Sequence, residues 1–201
     1  MTTVEESRPH LAHTGNFVTV LRNVYTEDEC QELIELSEQK GYEPATITKF
    51  DGSQIMDTSH RDSDRTMLDD PARAAELFRR IRSYIPDPMD GCKLVGINER
   101  LRFLRYDKGQ KFSPHQDGCY IRPDGSEESF LTMQLYLNGG PGQLEGGETV
   151  FLDDDMQVQF KLEPRAGTVL IFDHDCLHAG SPVVSGRKYC IRSDVMYETD
   201  E

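Results

Sequence analysis

The chain has 201 residues, with 36% hydrophobic and 29% charged side chains, enough for one folded domain with a full core. No apolar run reaches the length needed to span a bilayer, which sets a membrane-embedded role aside. Lysine and arginine number 22 against 36 acids, a formal charge of -14, and a surface that acidic repels phosphate backbones and disfavours nucleic acid as a partner.

Residues 1–15, MTTVEESRPHLAHTG, lack the basic start and apolar stretch of a secretory signal and are expected to form a polar, flexible tail. Thr26 followed by Glu27, Asp28 and Glu29 is a capping-box start for a helix. Cys30, Leu33 and Ile34 share one face of it, and Gly41 can end it. A second helix opens at Asp70-Pro71, with Pro71 at a tolerated first position. Ala74, Leu77, Phe78, Ile81 and Ile85 make its apolar stripe, and Pro86 and Pro88 close it.

Beyond Pro88 the pattern changes to short extended segments at 94–98, 101–106, 130–137, 149–152, 168–172 and 188–197. Gly139-Gly140-Pro141-Gly142 and Gly146-Gly147 punctuate them. Many short strands with such turns predict a sandwich or barrel: an α+β chain with a mainly β, jelly-roll core buttressed by N-terminal helices. The expected division is a tail over 1–15 and a single domain over 16–201, with helical support at 16–90 and the jelly roll at 91–201.

In segment 130–137, alternation puts Leu131, Met133, Leu135 and Leu137 on one face and Phe130, Thr132, Gln134 and Tyr136 on the other. The polar face points either to water or into a lumen where a polar ligand completes its hydrogen bonds. Cys30, Cys92, Cys119, Cys176 and Cys190 are odd in number and form no C-x-x-C pair, against a disulfide framework or thiolate zinc site and in favour of a reducing, cytoplasmic compartment.

The chemistry concentrates in LRFLRYDKGQKFSPHQDG, residues 101–118. His115 and Asp117 are two apart, so on an extended segment both side chains point the same way. His178 lies downstream in FDHDCLHAGSP. Two imidazoles and a carboxylate can occupy one face of an octahedral Fe(II) and leave three positions open.

Four further features carry a family resemblance. Tyr106 stands nine residues before His115 in Y-x-x-G-Q-x-F-x-x-H-x-D; Thr132 begins T-x-x-x-Y-L. Gly146-Gly147-Glu148-Thr149 gives G-G-E-T, and Lys188 follows His178 by ten. In that order and spacing the chain resembles the iron(II)- and 2-oxoglutarate-dependent dioxygenases, specifically the prolyl 4-hydroxylase-like branch, from about residue 98 to 197. The resemblance implies a double-stranded β-helix of the cupin-like type. It implies Fe(II), 2-oxoglutarate and O2 as cofactors, with ascorbate as an open addition. Its metal and catalytic set would be His115, Asp117 and His178.

For the cosubstrate the resemblance points to Lys188, with the Tyr106 and Thr132 hydroxyls donating beside it. Fe(II) with Asp117 keeps one positive charge, the 2-oxoglutarate dianion reverses it, and one buried cation restores neutrality. Arg192, on the same side of a regular strand as Lys188, is the rival or helper, or else the ion-pair partner of an acid such as Asp194 or Glu148. His174, flanked by Asp173 and Asp175, competes with His178, but the downstream G-S-P-x-x-S-G-x-K spacing counts from His178. It reads as a loop histidine satisfied by its neighbours, while His10 and His13 belong to the tail and His60 to a polar loop.

Substrate contacts are expected from loops at the barrel mouth: Tyr120, Arg122 and Asp124 in 119–129, and Arg61 and Arg65 in 41–67. As a group these arginines suit a carboxylate or a peptide backbone. The expected activity is hydroxylation of a C–H bond, by default in a prolyl or other residue of a protein or peptide. The same chemistry on a small molecule such as a free amino acid, and a non-enzymatic metal-binding jelly roll, stand as alternatives.

Overall fold

Two facing sheets enclose a lumen, and helices cover the outer face of the larger one. The computed structural model describes residues 3–11, 16–48 and 53–199. The chain opens with strands β1 (Glu5–Ser7) and β2 (Val18–Arg22) and helix α1 (Glu27–Lys40). Strands β3 (Glu43–Pro44), β4 (Ile47–Thr48), β5 (Gln54–Ile55) and β6 (Asp64–Asp69) lead to helix α2 (Pro71–Ile81). Then come β7 (Lys93–Ile97), β8 (Arg100–Tyr106), β9 (Phe112–His115) and β10 (Glu127–Tyr136). The last third holds β11 (Leu144–Gly146), β12 (Thr149–Leu152), β13 (Val158–Leu162) and β14 (Val169–Asp173). It ends with β15 (His178–Gly180), β16 (Val183–Gly186) and the long β17 (Lys188–Glu198).

The major sheet runs β1-β2-β14-β10-β17-β8-β6-β3, with β7 also on β17; the minor sheet runs β13-β12-β15-β9. This is the expected jelly roll. Strict alternation divides the major sheet's side chains between two cores. Leu131, Met133 and Leu135 of β10, Ile171 of β14 and Ile191 of β17 face outward onto Cys30 of α1 and Ala74, Leu77 and Ile81 of α2. Val20, Leu104, Tyr136, Leu170, Phe172 and Cys190 face inward, against Phe151 and Leu162 of the minor sheet.

Both helices form for the reasons legible in the sequence. The Thr26 hydroxyl accepts from the Glu29 N–H, and the Glu29 carboxylate from the Thr26 N–H, closing the capping box; Gly41 ends the helix at φ 82. The Asp70 carboxylate caps α2 ahead of Pro71. That helix ends at Ile81, with a single 3-10 turn over Arg82–Tyr84, so Ile85 is buried from extended chain beyond the helix.

Three expectations change. The segment read as a tail supplies edge strand β1, paired with β2, and Leu11 is 7% exposed; His13 lies outside the described residues. The helical-support half gives β2, β3 and β6 to the major sheet. Finally, β10 carries a bulge between Ser129 and Leu131, which turns Phe130 out of the lumen and against Tyr197, with ring centroids 5.3 Å apart.

One glycine fixes how β14 meets the chain entering α1. Gly167 has φ +75, and a Cβ there would stand 1.9 Å from the Tyr25 carbonyl oxygen. Its own carbonyl accepts from the Val24 N–H at 2.9 Å. Gly167→Ala is expected to lower unfolding free energy by about 2–4 kcal/mol, by strain and overpacking together, as read by urea denaturation.

Candidate active site

A cavity of about 810 Å³ opens between the sheets. His115 ends β9, His178 begins β15, and the register sets them directly opposite, with ring centroids 4.2 Å apart. Asp117, two residues beyond His115, points to the same side. Its Oδ1 lies 3.8 Å from His115 Nε2 and its Oδ2 3.8 Å from His178 Nε2. One ligand atom from each residue falls within 4.8 Å of the others.

The protons are arranged for coordination. His115 Nδ1 donates to the Ser113 carbonyl at 2.8 Å and His178 Nδ1 to the Cys176 carbonyl at 2.9 Å. A carbonyl can only accept, so each ring carries its hydrogen on Nδ1 and aims the Nε2 lone pair at Asp117. Burial, then the neighbouring His178, holds the His115 imidazole down at about 3; burial lowers His178 as well. Burial alone would raise the Asp117 carboxyl, yet the Arg192 guanidinium and the two imidazoles hold it well below the usual range. The Thr132 hydroxyl donates to Asp117 Oδ2 at 2.5 Å. Two neutral imidazoles and a carboxylate converging in this way fit a divalent transition metal.

Lys188 begins β17 at the other end of the lumen, opposite Tyr106 of β8. It is 4% exposed, and its Nζ donates to the Gly147 carbonyl at 2.6 Å. The ammonium lies 5.3 and 5.5 Å from the Tyr106 and Tyr136 ring centroids, with no acid in ion-pair contact among the described residues. Such a cation is one that a buried anion would complete. Burial pushes the Tyr106 phenol up to about 12, so it remains a donor. The G-G-E-T turn serves this end: Gly147 has φ +72, and a Cβ there would stand 3.2 Å from Lys188 Cδ. Gln134 and the Tyr136 hydroxyl both bond Thr149 Oγ1, the latter at 2.6 Å. No sequence motif gives these three a site role, although the polar face of the 130–137 segment includes Gln134 and Tyr136.

Several assignments shift. Thr132 pairs with Asp194 on β17, six residues along the ladder from Lys188, so its hydroxyl serves Asp117 and does not stand beside Lys188. Arg192 contacts Asp194 at 2.9 Å and Asp117 at 3.4 Å, not Glu148, which is its ion-pair alternative realised. His174 is buried, and neither ring nitrogen has a hydrogen-bond partner among the described residues, so it is not satisfied by neighbours. Its carbonyl accepts from the Asp117 N–H instead. His60 lines the cavity, edge-on to His115 at 6.4 Å. Arg61 and Tyr120 also line it, whereas Arg122 does not: its guanidinium clamps Glu99 and Glu127.

Residues 101–193 match the family model of the 2OG-Fe(II) oxygenase superfamily. A probable prolyl 4-hydroxylase of Arabidopsis thaliana is 26% identical over 193 residues, covering 82% of this chain and 63% of the relative. A PKHD-type hydroxylase of Shewanella baltica is 28% identical over 174 residues, covering 83% and 72%. The chain thus spans just under two thirds of the length of the first curated relatives it matches. Among solved structures, the viral collagen prolyl hydroxylase of Paramecium Bursaria Chlorella virus-1, in complex with 2OG, aligns with TM-score 0.62 at 24% identity, covering 92% of this chain and 98% of that one. A Pseudomonas putida prolyl-4-hydroxylase gives 0.64 at 17% identity, covering 92% and 94%.

Because burial holds the His115 imidazole down at about 3 and lowers His178 below its ordinary value, divalent metal affinity should fall by clearly less than about tenfold between pH 7.5 and 6. Two imidazoles of ordinary pKa would lose about tenfold over the same interval through protonation. Anaerobic Fe(II) or Co(II) titration at both pH values checks this, and His115→Ala or His178→Ala should cost at least about 100-fold at either.

Proposed function

We propose that this chain is a 2OG-Fe(II) oxygenase of the prolyl 4-hydroxylase-like branch and hydroxylates a C–H bond, by default in a prolyl residue of a protein or peptide, with 2-oxoglutarate as cosubstrate; the superfamily match over residues 101–193 and the prolyl 4-hydroxylase relatives support this reading. One observation carries the reading: three convergent ligand atoms and a buried lysine with no acid in ion-pair contact among the described residues open onto the same cavity. When bound, Fe(II), 2-oxoglutarate and O2 supply the oxidising chemistry, in which the cosubstrate loses carbon dioxide to give succinate and an oxygen atom enters the C–H bond.

This chain's residues position and insulate. His115, Asp117 and His178 would hold the metal, with Thr132 and Arg192 fixing the Asp117 carboxylate from behind. Lys188 and the Tyr106 hydroxyl would take the far carboxylate of the cosubstrate, with the hydrogen-bonded Gln134, Tyr136 and Thr149 lining the approach. Phe172 stands edge-on to His178 at 4.7 Å and Phe112 stacks on His115 at 3.6 Å, which keeps water from the ligand side. Arg61 and Tyr120 would meet the substrate. The PKHD-type and prolyl 4-hydroxylase relatives support the hydroxylase assignment, and an odd count of five cysteines with no C-x-x-C pair supports a reducing, cytoplasmic setting. Among the described residues no helix is long and apolar enough to cross a membrane.

Anaerobic titration of the Fe(II)-loaded protein with 2-oxoglutarate should develop a visible charge-transfer band. Lys188→Ala should need about 100-fold more cosubstrate to reach it, the loss expected when a buried charge pair is truncated. Arg192→Lys should shift that requirement only a few-fold, because Arg192 serves Asp117 and Asp194. Bound iron with no band at any 2-oxoglutarate concentration would refute the assignment.

A further inference from the structure

The cavity carries more positive charge than the proposed reaction uses. Arg61, Arg65, Arg100, Arg102, Lys188 and Arg192 line it, against the carboxylates of Asp117 and Asp194, within a chain whose overall charge is -14. With the proposed cofactors in place, an iron dication, Asp117, the 2-oxoglutarate dianion and Lys188 sum to zero. Arg100 is matched by Asp69 at 2.9 Å, and Arg65 lies 3.6 Å from Glu43. Arg102 and Arg192 share the fully buried Asp194, each at 2.9 Å, so that group keeps one positive charge. Arg61 has no acid partner among the described residues. Its nitrogens donate to the Ser63 hydroxyl at 3.2 Å and the Thr46 carbonyl at 3.4 Å, and its guanidinium lies 4.8 Å over the Phe112 ring.

The two surplus charges face the space left for a substrate. Arg102 of β8 pairs in register with Arg192, four residues along β17 from the proposed cosubstrate lysine. Arg61 bridges to Phe112 of the minor sheet, at the seam where β9 carries His115. An uncharged mid-chain prolyl residue would leave both guanidiniums uncancelled in a part-buried cleft, which is costly. Planar guanidiniums hold carboxylates through paired hydrogen bonds, and both side chains have N–H groups to spare.

We propose that the substrate is anionic, with a carboxylate near the reacting C–H bond that Arg61 and Arg102 hold and neutralise. This rests on the oxygenase reading and narrows it. The carboxylate belongs either to an α-carboxyl group, free or C-terminal, or to an acidic side chain next to the reacting residue.

The test uses probe pairs that differ only in charge, offered to the Fe(II)- and 2-oxoglutarate-loaded protein. The N-acetylated common amino acids are compared with their carboxamides, and capped Asp-Pro with capped Asn-Pro dipeptides. Binding is read anaerobically as a shift of the charge-transfer band, and turnover as succinate release in air. At least one carboxylate should bind about tenfold or more tightly than its amide, and the responding series identifies the source. Arg61→Gln orphans no acid among the described residues and should erase that preference; Arg102→Lys keeps the Asp194 pair but loses the planar fork and should weaken it. Equal binding within every pair, or no carboxylate that shifts the band, overturns the proposal. So does Arg61→Gln raising the 2-oxoglutarate requirement while the preference survives, which would assign Arg61 to the cosubstrate. Absence of the band itself fails the oxygenase reading instead.

Discussion

A charge enclosed between two sheets must be cancelled nearby, and the lumen is organised around that requirement. Asp117 stays ionised because the Arg192 guanidinium faces it and the Thr132 hydroxyl donates to it. Asp194, with no exposure at all, is tolerable only because Arg102 and Arg192 reach it from neighbouring strands. Lys188 is the exception: its ammonium has one carbonyl and two ring faces, too little for a permanent charge in a dry place. An incompletely satisfied cation of this kind makes anion binding favourable, because the anion supplies what the fold withholds.

Strand register turns that requirement into geometry. The β9–β15 pairing brings His178 opposite His115, although the two lie far apart in the chain. The β8–β17 pairing brings Lys188 opposite Tyr106 and Arg192 opposite Arg102. A one-residue slip in either ladder would turn the whole set outward. The helices guard against it by burying the alternate side chains, so the outward-facing Leu131, Met133, Leu135 and Ile191 hold the inward-facing polar set in place.

Where a signal is local, the sequence carries it openly. The capping box at Thr26 and Glu29, the Asp70-Pro71 helix start and the His-x-Asp spacing each depend on contacts within a few residues, and each appears as expected. What fails depends on partners far away in the chain. Glu5–Ser7 becomes a strand only because Val18–Arg22 offers it an edge, and nothing in its own composition demands this. Phe130 leaves the lumen through a bulge that simple alternation cannot foresee. The family pattern puts Thr132 beside Lys188, but only the β10–β17 register fixes their separation. His174 reads as a loop histidine satisfied by its neighbours, yet its ring is buried and neither nitrogen has a hydrogen-bond partner among the described residues, a cost that sequence proximity does not reveal.

Net charge bears on surface and site in opposite ways. A total of -14 argues against long-range attraction of any anion, most of all a polyanion that must lie along the exterior. That outer field is screened within about 8 Å at physiological salt, so it governs approach and not residence. Inside the cavity the guanidiniums of Arg61, Arg102 and Arg192 and the ammonium of Lys188 act across short distances with little intervening water. An acidic shell around a basic lumen therefore selects by size as much as by charge. A small carboxylate can pass from the screened exterior into the unscreened interior, whereas an extended anion would keep most of its charge against the repelling surface.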